Sequence, residues 1–308
     1  MIAWLLVLPC AAWVVVRAFG LDSGHPLTLL IVYTPLAVAG ALAAAVVAAL
    51  LRRGRAAVVA LACAVALAAF VAPRALGGPS TAEGGSGPRL RVLTANVHVK
   101  PRAAEALVAL ARRTRADVVS VQEVNPEVAR ALERAGLGEL LPGRVVEPRA
   151  AGLGSALYAR APLTKIAGVK DGWVAARARV GGGPAIEVHA VHPLPPLNAA
   201  AERRWSADMR ALPSARRTGP VRILAGDFNA TLDHAELRRL LDRRYEDAAD
   251  AVGRGLRATW PADRRFPPPV TIDHVIADER CGVRSLRVFD LPGSDHRAVL
   301  AELELPRG

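Results

Sequence analysis

Acids, amides and imidazoles recur in this sequence at the ends of short apolar runs. Asn96 closes the run 90–97 and Glu123 closes 117–123. His192 follows 186–191, and Asp227 and Asn229 follow 221–226. Asp273 and His274 open the run 272–277, and Asp295 and His296 precede 298–305. An ionised carboxylate beside an apolar strand is strongly unfavourable unless it is paired or binds metal. Its recurrence along the chain, with histidines and asparagines alongside, points to one convergent site. Hard oxygen and amide ligands without thiolates suit Mg2+ or Mn2+ better than zinc. Such a cation neutralises phosphate oxygens and organises a water. The cysteines offer no competing metal site, because Cys10, Cys63 and Cys281 form no Cys-x-x-Cys pair.

The elements that must position these residues are many strands and few helices. Strand-like runs lie at 90–97, 117–123, 155–160, 173–180, 185–191, 221–225, 272–277, 283–289 and 298–305. Helical spacing appears at 103–113, 127–135, 199–212 and 234–243. That balance predicts an α+β protein of two packed sheets covered by helices, not a doubly wound parallel sheet. His189 and His274 read as structural histidines, and Thr259-Trp260-Pro261 as packing. The stretch 143–153 and the segment 218–220 are short for substrate-gripping loops.

The ordered set Thr94-Ala95-Asn96-Val97, Val121-Gln122-Glu123-Val124, His192-Pro193, Gly226-Asp227-Phe228-Asn229, Ile272-Asp273-His274 and Ser294-Asp295-His296 resembles the signature of the endonuclease/exonuclease/phosphatase superfamily. The resemblance implies a DNase I-like four-layer α/β/β/α sandwich over residues 89–308. It also implies roles. Asn96, Glu123 and Asp295 form the metal set, with Glu123 as main ligand. Asp227 orients or deprotonates the attacking water, and Asn229 binds the phosphate and steadies Asp227. His192 binds the scissile phosphate or acts as acid. His296 binds the in-line phosphate, oriented by Asp273. Asp295 joins either the metal or the His192 network. The implied cofactor is Mg2+ (or Mn2+), and the chemistry is in-line attack of water on phosphorus.

The first quarter of the chain has another character. Three apolar stretches, roughly 2–19, 27–51 and 56–76, approach the ~20 residues that a bilayer-crossing helix needs. They predict a membrane anchor over 1–76 with three transmembrane helices, a flexible linker over 77–88 and the catalytic domain beyond. The loop Arg52-Arg53-Gly54-Arg55 is basic, whereas the loop 21–25 has no Lys or Arg. The positive-inside rule then places the catalytic domain outside the cell membrane. Arg17 and Arg74, near the outer span ends, run against that rule unless they snorkel to the interface.

The formal net charge of +12 favours phosphate-bearing partners but does not choose among nucleic acid, anionic lipid and small phosphoesters. Three function classes follow. A multi-pass, membrane-anchored phosphoesterase would act on a phosphomonoester, pyrophosphate or phosphodiester, with a lipid-linked substrate suggested by the short tether. A surface endonuclease or exonuclease would take nucleic acid, although the scarcity of Tyr and Phe leaves little for base stacking. A catalytically inactive binding domain on the same fold is the third.

Overall fold

The computed structural model describes residues 2–78, 87–180 and 183–307. Two six-stranded sheets form its larger part. The first has the order β11-β12-β1-β2-β4-β3, and the second β5-β6-β7-β8-β10-β9. The first sheet is built from β1 (Arg89–Asn96), β2 (Val118–Gln122), β3 (Gly143–Glu147), β4 (Ser155–Ala159), β11 (Gly282–Asp290) and β12 (Arg297–Glu304). The second is built from β5 (Thr164–Lys165), β6 (Val174–Arg179), β7 (Ala185–Val191), β8 (Val221–Asp227), β9 (Tyr245–Asp247) and β10 (Asp273–Asp278). The two sheets share one layout: a central parallel pair, β1 with β2 and β7 with β8, flanked by antiparallel strands.

Side-chain alternation along each strand sorts residues between two faces. Leu90 and Val92 of β1, Val118 of β2, Val221 and Ile223 of β8 and Val275 of β10 meet in the core between the sheets. The alternate residues Leu93, Ala95, Val119 and Val121 face outward, packing with Leu107 of helix Ala103–Thr114 and Leu132 of helix Pro126–Arg134. Leu224 and Ile276 do the same on the other sheet, against Trp205 of helix Ala199–Ala211 and Leu237 of helix Ala235–Leu241. The result is four layers, α/β/β/α, as the motif order implies. Fully burying one such Val or Leu contributes roughly 1.5–3 kcal/mol, so these three clusters dominate the stability of the sandwich.

Toward one end of the sandwich the same inward-facing positions become polar. Period two continues Leu90 and Val92 into Thr94 and Asn96, Val118 into Ser120 and Gln122, and Ile223 into Ala225 and Asp227. Thr94 Oγ1 donates to Gln122 Oε1 (3.2 Å), Gln122 Nε2 donates to Ser120 Oγ (2.8 Å), and Ser120 Oγ donates to the Ala225 carbonyl (2.8 Å). This buried chain ties the central strands of one sheet to β8 of the other, directly beneath the candidate catalytic residues.

The N-terminal region is a bundle of apolar helices, Ile2–Phe19, Leu27–Leu50 and Gly54–Val71. Of the three expected spans, the last two are long and apolar enough to cross a membrane, and the first is shorter by that measure. The third helix ends earlier than expected, at Val71, and a separate turn covers Pro73–Leu76. Most of the expected linker, residues 79–86, lies outside the described residues.

The bundle does not stand apart from the sandwich. Arg17 Nε donates to Asp233 Oδ1 (2.9 Å), and Arg74 donates to both Asp233 oxygens (2.7 Å each). Asp22 Oδ2 accepts from the Ala235 amide (3.0 Å), His234 Nε2 meets the Thr28 carbonyl (2.9 Å), and the Gly255 amide donates to the Arg74 carbonyl (3.0 Å). Arg17 and Arg74, expected to snorkel to an interface, are instead held inside the protein. They turn to a buried acid six residues beyond Asp227.

Candidate active site

The polar end of the inter-sheet face gathers the predicted residues in one place. Asp227 ends β8, Asn96 ends β1, and Glu123 follows β2. Asn96 Nδ2 donates to Glu123 Oε1 (3.0 Å) and to Asp227 Oδ2 (3.1 Å), joining the two sheets through one amide. His192 Nε2 lies 3.9 Å from both Glu123 Oε1 and Asp227 Oδ2. His296 Nδ1 contacts Asp273 Oδ2 at 2.9 Å, and its Nε2 lies 3.8 Å from Asp227 Oδ2. Asp273 faces Asp227 in the antiparallel β8–β10 register.

Local backbone geometry explains the motif letters. An added Cβ at Gly226 would lie 1.9 Å from the Val191 carbonyl oxygen, so only glycine lets β8 run this close to β7. Asn229, at φ +47°, takes the left-handed turn after β8, a conformation that asparagine tolerates. Its amide donates to Asp227 Oδ1 (2.8 Å) and its Nδ2 to the Pro193 carbonyl (3.0 Å), pinning the loop after His192 to the loop after Asp227. Glu123 is also left-handed, at φ +59°, which costs a non-glycine residue of order 1–3 kcal/mol. The turn aims its carboxylate at Asn96.

Proton affinities in the cluster are pushed apart. Burial, then the charge of Asp273, lift Asp227 to about 7. Burial and the neighbouring His296 charge lower His192 to about 4. Burial opposes protonation of His296 as well, yet Asp273, Asp227 and Asp295 together raise it to about 10. The acids around His296 thus favour its protonated form, and burial favours a neutral His192. Divergent proton affinities in adjacent groups mark acid and base assignments.

The donor set fits a hard cation. Asp227, Asp273 and His296 offer ligand atoms that lie within 4.8 Å of one another. Asp273 Oδ1 is buried and has no hydrogen-bond partner among the described residues. A buried acceptor left in this way calls for a partner. The residues expected to hold the ion sit differently. Glu123 is in the cluster, but Asn96 presents its amide nitrogen to the carboxylates because its Oδ1 accepts from the His98 amide (2.9 Å). Asp295 lies between Trp260 Nε1 and His98 Nδ1, at 3.0 Å from each, and 4.0 Å from His296 Nε2.

Further residues support the cluster, and His98 among them carries no signal in the sequence. His98 reaches Asp295 from a left-handed turn at φ +50°. Ser294 Oγ donates to the Asn96 carbonyl (2.7 Å) and accepts from the His296 amide (3.0 Å), locking β1 to the last loop. Thr259 Oγ1 accepts from the Ile272 and Asp273 amides (3.0 and 3.1 Å), and Trp260 holds Asp295, so the Thr-Trp-Pro loop does more than pack. His274 is structural as expected, clamped between Asp247 Oδ2 (2.7 Å) and the Ala230 carbonyl (2.9 Å).

Comparison with known proteins bears on this arrangement. No curated protein sequence matches the chain. Among solved structures, an endonuclease/exonuclease/phosphatase from Beutenbergia cavernae DSM 12333 superposes with a TM-score of 0.54 at 19% identity, covering 71% of this chain and 72% of that one. Truncated TDP2 from Caenorhabditis elegans gives 0.53 at 13% identity, covering 70% and 98%. TDP2 from D. rerio complexed with a single-strand DNA product gives 0.52 at 14%, covering 70% and 98%. At these identities the likeness concerns the fold. The profile of the Endonuclease/Exonuclease/phosphatase family matches residues 93–296. That interval runs from β1 to His296 and encloses every residue of the polar cluster, so the chain belongs to the endonuclease/exonuclease/phosphatase family.

Proposed function

We propose that this protein is a membrane-anchored, divalent-metal-dependent phosphoesterase whose substrate is itself membrane-associated. The observation that carries the reading is the meeting of Glu123, Asp227, His192 and His296 around one point at the rim of the sandwich, in a chain whose apolar helices are joined to the sandwich through Asp233, His234 and Ala235. A bound Mg2+ or Mn2+ would neutralise phosphate oxygens and acidify a water. Glu123, steadied by Asn96, and the Asp227 and Asp273 carboxylates would hold it, with Asp295 behind them. Asp227 orients the attacking water and takes its proton, which a carboxylate lifted to about 7 does well near neutral pH. Asn229 fixes Asp227 and faces the phosphate. His296, protonated and held by Asp273, gives a charged hydrogen bond to a phosphate oxygen. His192, neutral, binds another oxygen or delivers a proton to the leaving group.

The anchor is residues 1–76, joined by 77–88 to a catalytic domain at 89–308. Large side chains on the helices point outward, and among the described residues nothing packs on them. Leu5, Val58, Val65 and Leu50 are 67%, 68%, 64% and 78% exposed, a surface suited to lipid rather than water. Arg52 and Arg53 lie in the turn between the second and third helices and Arg55 in the first turn of the third, and the sandwich docks at the opposite end, beside Asp22. The positive-inside rule then makes the protein multi-pass with an extracytoplasmic site.

A nuclease is the second reading, favoured by the +12 charge and by the likeness to a protein seen with a DNA product. The deciding experiment presents the purified full chain with a polyprenyl pyrophosphate, a phospholipid and plasmid DNA in parallel. The proposal expects metal-dependent turnover of a lipid substrate. Rapid plasmid degradation with both lipids inert would replace it with the nuclease. Phosphate binding without turnover of any substrate would leave only an inactive binding domain.

A further inference from the structure

An arginine-lined groove lies outside the catalytic cluster. It measures about 640 Å³ and opens between residues 254–258 and β11, lined by Arg254, Arg257 and Arg287, with Leu286, Val288 and Phe289 among its apolar lining. All three arginines are exposed, and among the described residues none has a carboxylate within ion-pair distance. Arg297, also on the groove, is by contrast paired with Asp290 at 2.8 Å. Arg287 lies over the Phe289 ring at 5.4 Å, which holds its guanidinium at the apolar wall. Unpaired guanidiniums over an apolar lining suit a phosphate group that carries hydrocarbon.

The position of the groove selects among such ligands. Its rim, residues 253–257, alternates between two surroundings. Gly253 and Gly255 pack on the end of the helical bundle: a Cβ on Gly253 would lie 2.9 Å from the Ala75 carbonyl, and Gly255 bonds the Arg74 carbonyl at 3.0 Å. Arg254, Leu256 and Arg257 point the other way and are exposed, Leu256 at 43%. Arg254 and Arg257 therefore stand beside the end of the last helix, with Arg287 across the groove from them. If that helix spans a bilayer, this is the headgroup layer.

We propose that this groove binds the phosphate headgroup of an anionic phospholipid, with Arg254, Arg257 and Arg287 as phosphate partners and Leu256 and Phe289 against the glycerol and upper acyl carbons. The site is separate from the catalytic cluster and holds the sandwich at the membrane surface. The inference rests on the reading that the N-terminal helices are embedded in lipid.

Native mass spectrometry of the detergent-solubilised full chain tests it, with phosphatidylglycerol, phosphatidylcholine, inorganic phosphate and a single-stranded oligonucleotide as separate probes. Phosphatidylglycerol should be retained over phosphatidylcholine. Its affinity should fall by roughly 100-fold, about fivefold per charge, in the Arg254→Gln, Arg257→Gln, Arg287→Gln variant. Melting temperature and hydrolysis of a soluble chromogenic phosphoester should not change. Equal retention of both lipids, or an unaltered variant, would overturn the proposal. Displacement of the lipid by equimolar inorganic phosphate would make the groove a free-phosphate site. Oligonucleotide binding lost in the same variant would make it a nucleic-acid contact. Alkaline carbonate extraction of membranes checks the anchoring separately. Release of the chain there would remove the membrane reading, while the detergent titration still decides the groove.

Discussion

Asp233→Asn should weaken the whole protein while leaving the catalytic side chains untouched. The Asp233 side chain is 1% exposed, and the guanidiniums of Arg17 and Arg74 are buried with it. Asparagine keeps the shape and one acceptor oxygen, but it removes the charge bonded to both arginines. Breaking a buried ion pair by deleting one partner costs about 3–5 kcal/mol, because the other charge stays buried. At ~2–4 °C per kcal/mol for a chain of this size, that corresponds to a fall in Tm of roughly 6–20 °C. The sign of the pH dependence is fixed. Burial alone would raise the Asp233 pKa, but Arg74 and Arg17 outweigh it and hold the acid below its usual range. The contribution is therefore complete above the unfolded value of about 3.9 and is lost as pH falls through the depressed folded value. The assay is tryptophan-fluorescence melting of the full chain in detergent, at pH 7 and in steps below pH 4. Replacing the whole triad, Arg17→Met with Asp233→Leu and Arg74→Met, should recover most of the loss, since apolar replacements of buried ion clusters are near neutral. An Asp233→Asn protein melting within about 2 °C of wild type at pH 7 would refute the buried-triad reasoning. So would a triple variant no more stable than the single one.

Other consequences concern the site. Gly226→Ala puts a Cβ 1.9 Å from a backbone oxygen and should cost about 3 kcal/mol or more, read as a lower denaturation midpoint. His98→Ala removes one of the groups beside Asp295 and should lower kcat by roughly 10–100-fold with little change in Tm, as loss of an outer partner does. Burial and Asp273 raise Asp227 to about 7, so metal affinity should weaken as pH drops through that value and the carboxylate takes up a proton. Isothermal titration with Mn2+ at pH 6 and pH 8 measures this, and Asp227→Asn should flatten the difference.

Much of the catalytic half was legible because its chemistry sits where a period-two pattern changes character. The alternation that packs Leu90 and Val92 between the sheets carries on into Asn96, so a polar residue at a strand end already named the face it occupies. The same holds for Asp227 on β8. Short elements escaped. Strand β9, Tyr245–Asp247, spans three residues and carries no periodicity of its own, yet its Asp247 anchors His274. His98 gave no signal because a left-handed turn, not its neighbours in sequence, directs it to Asp295. The Asp233 triad joins residues 216 and 159 positions apart. Nothing local marks such a pairing, and Arg17 and Arg74 read as span-end arginines until the sandwich supplies their partner. The Asn96 amide orientation, by contrast, is set locally, by the His98 amide two residues on.

The central claim is that Glu123, Asp227 and His296 act together on one phosphate with a divalent cation. The most direct test strips the full-length protein with chelator and follows hydrolysis of a chromogenic phosphodiester as Mg2+ or Mn2+ is restored, for wild type and Asp227→Asn. The account predicts no turnover without metal, recovery on its addition, and at least a ~1000-fold loss in the variant at unchanged Tm. Full activity in excess chelator, or an Asp227→Asn enzyme within tenfold of wild type, would contradict it.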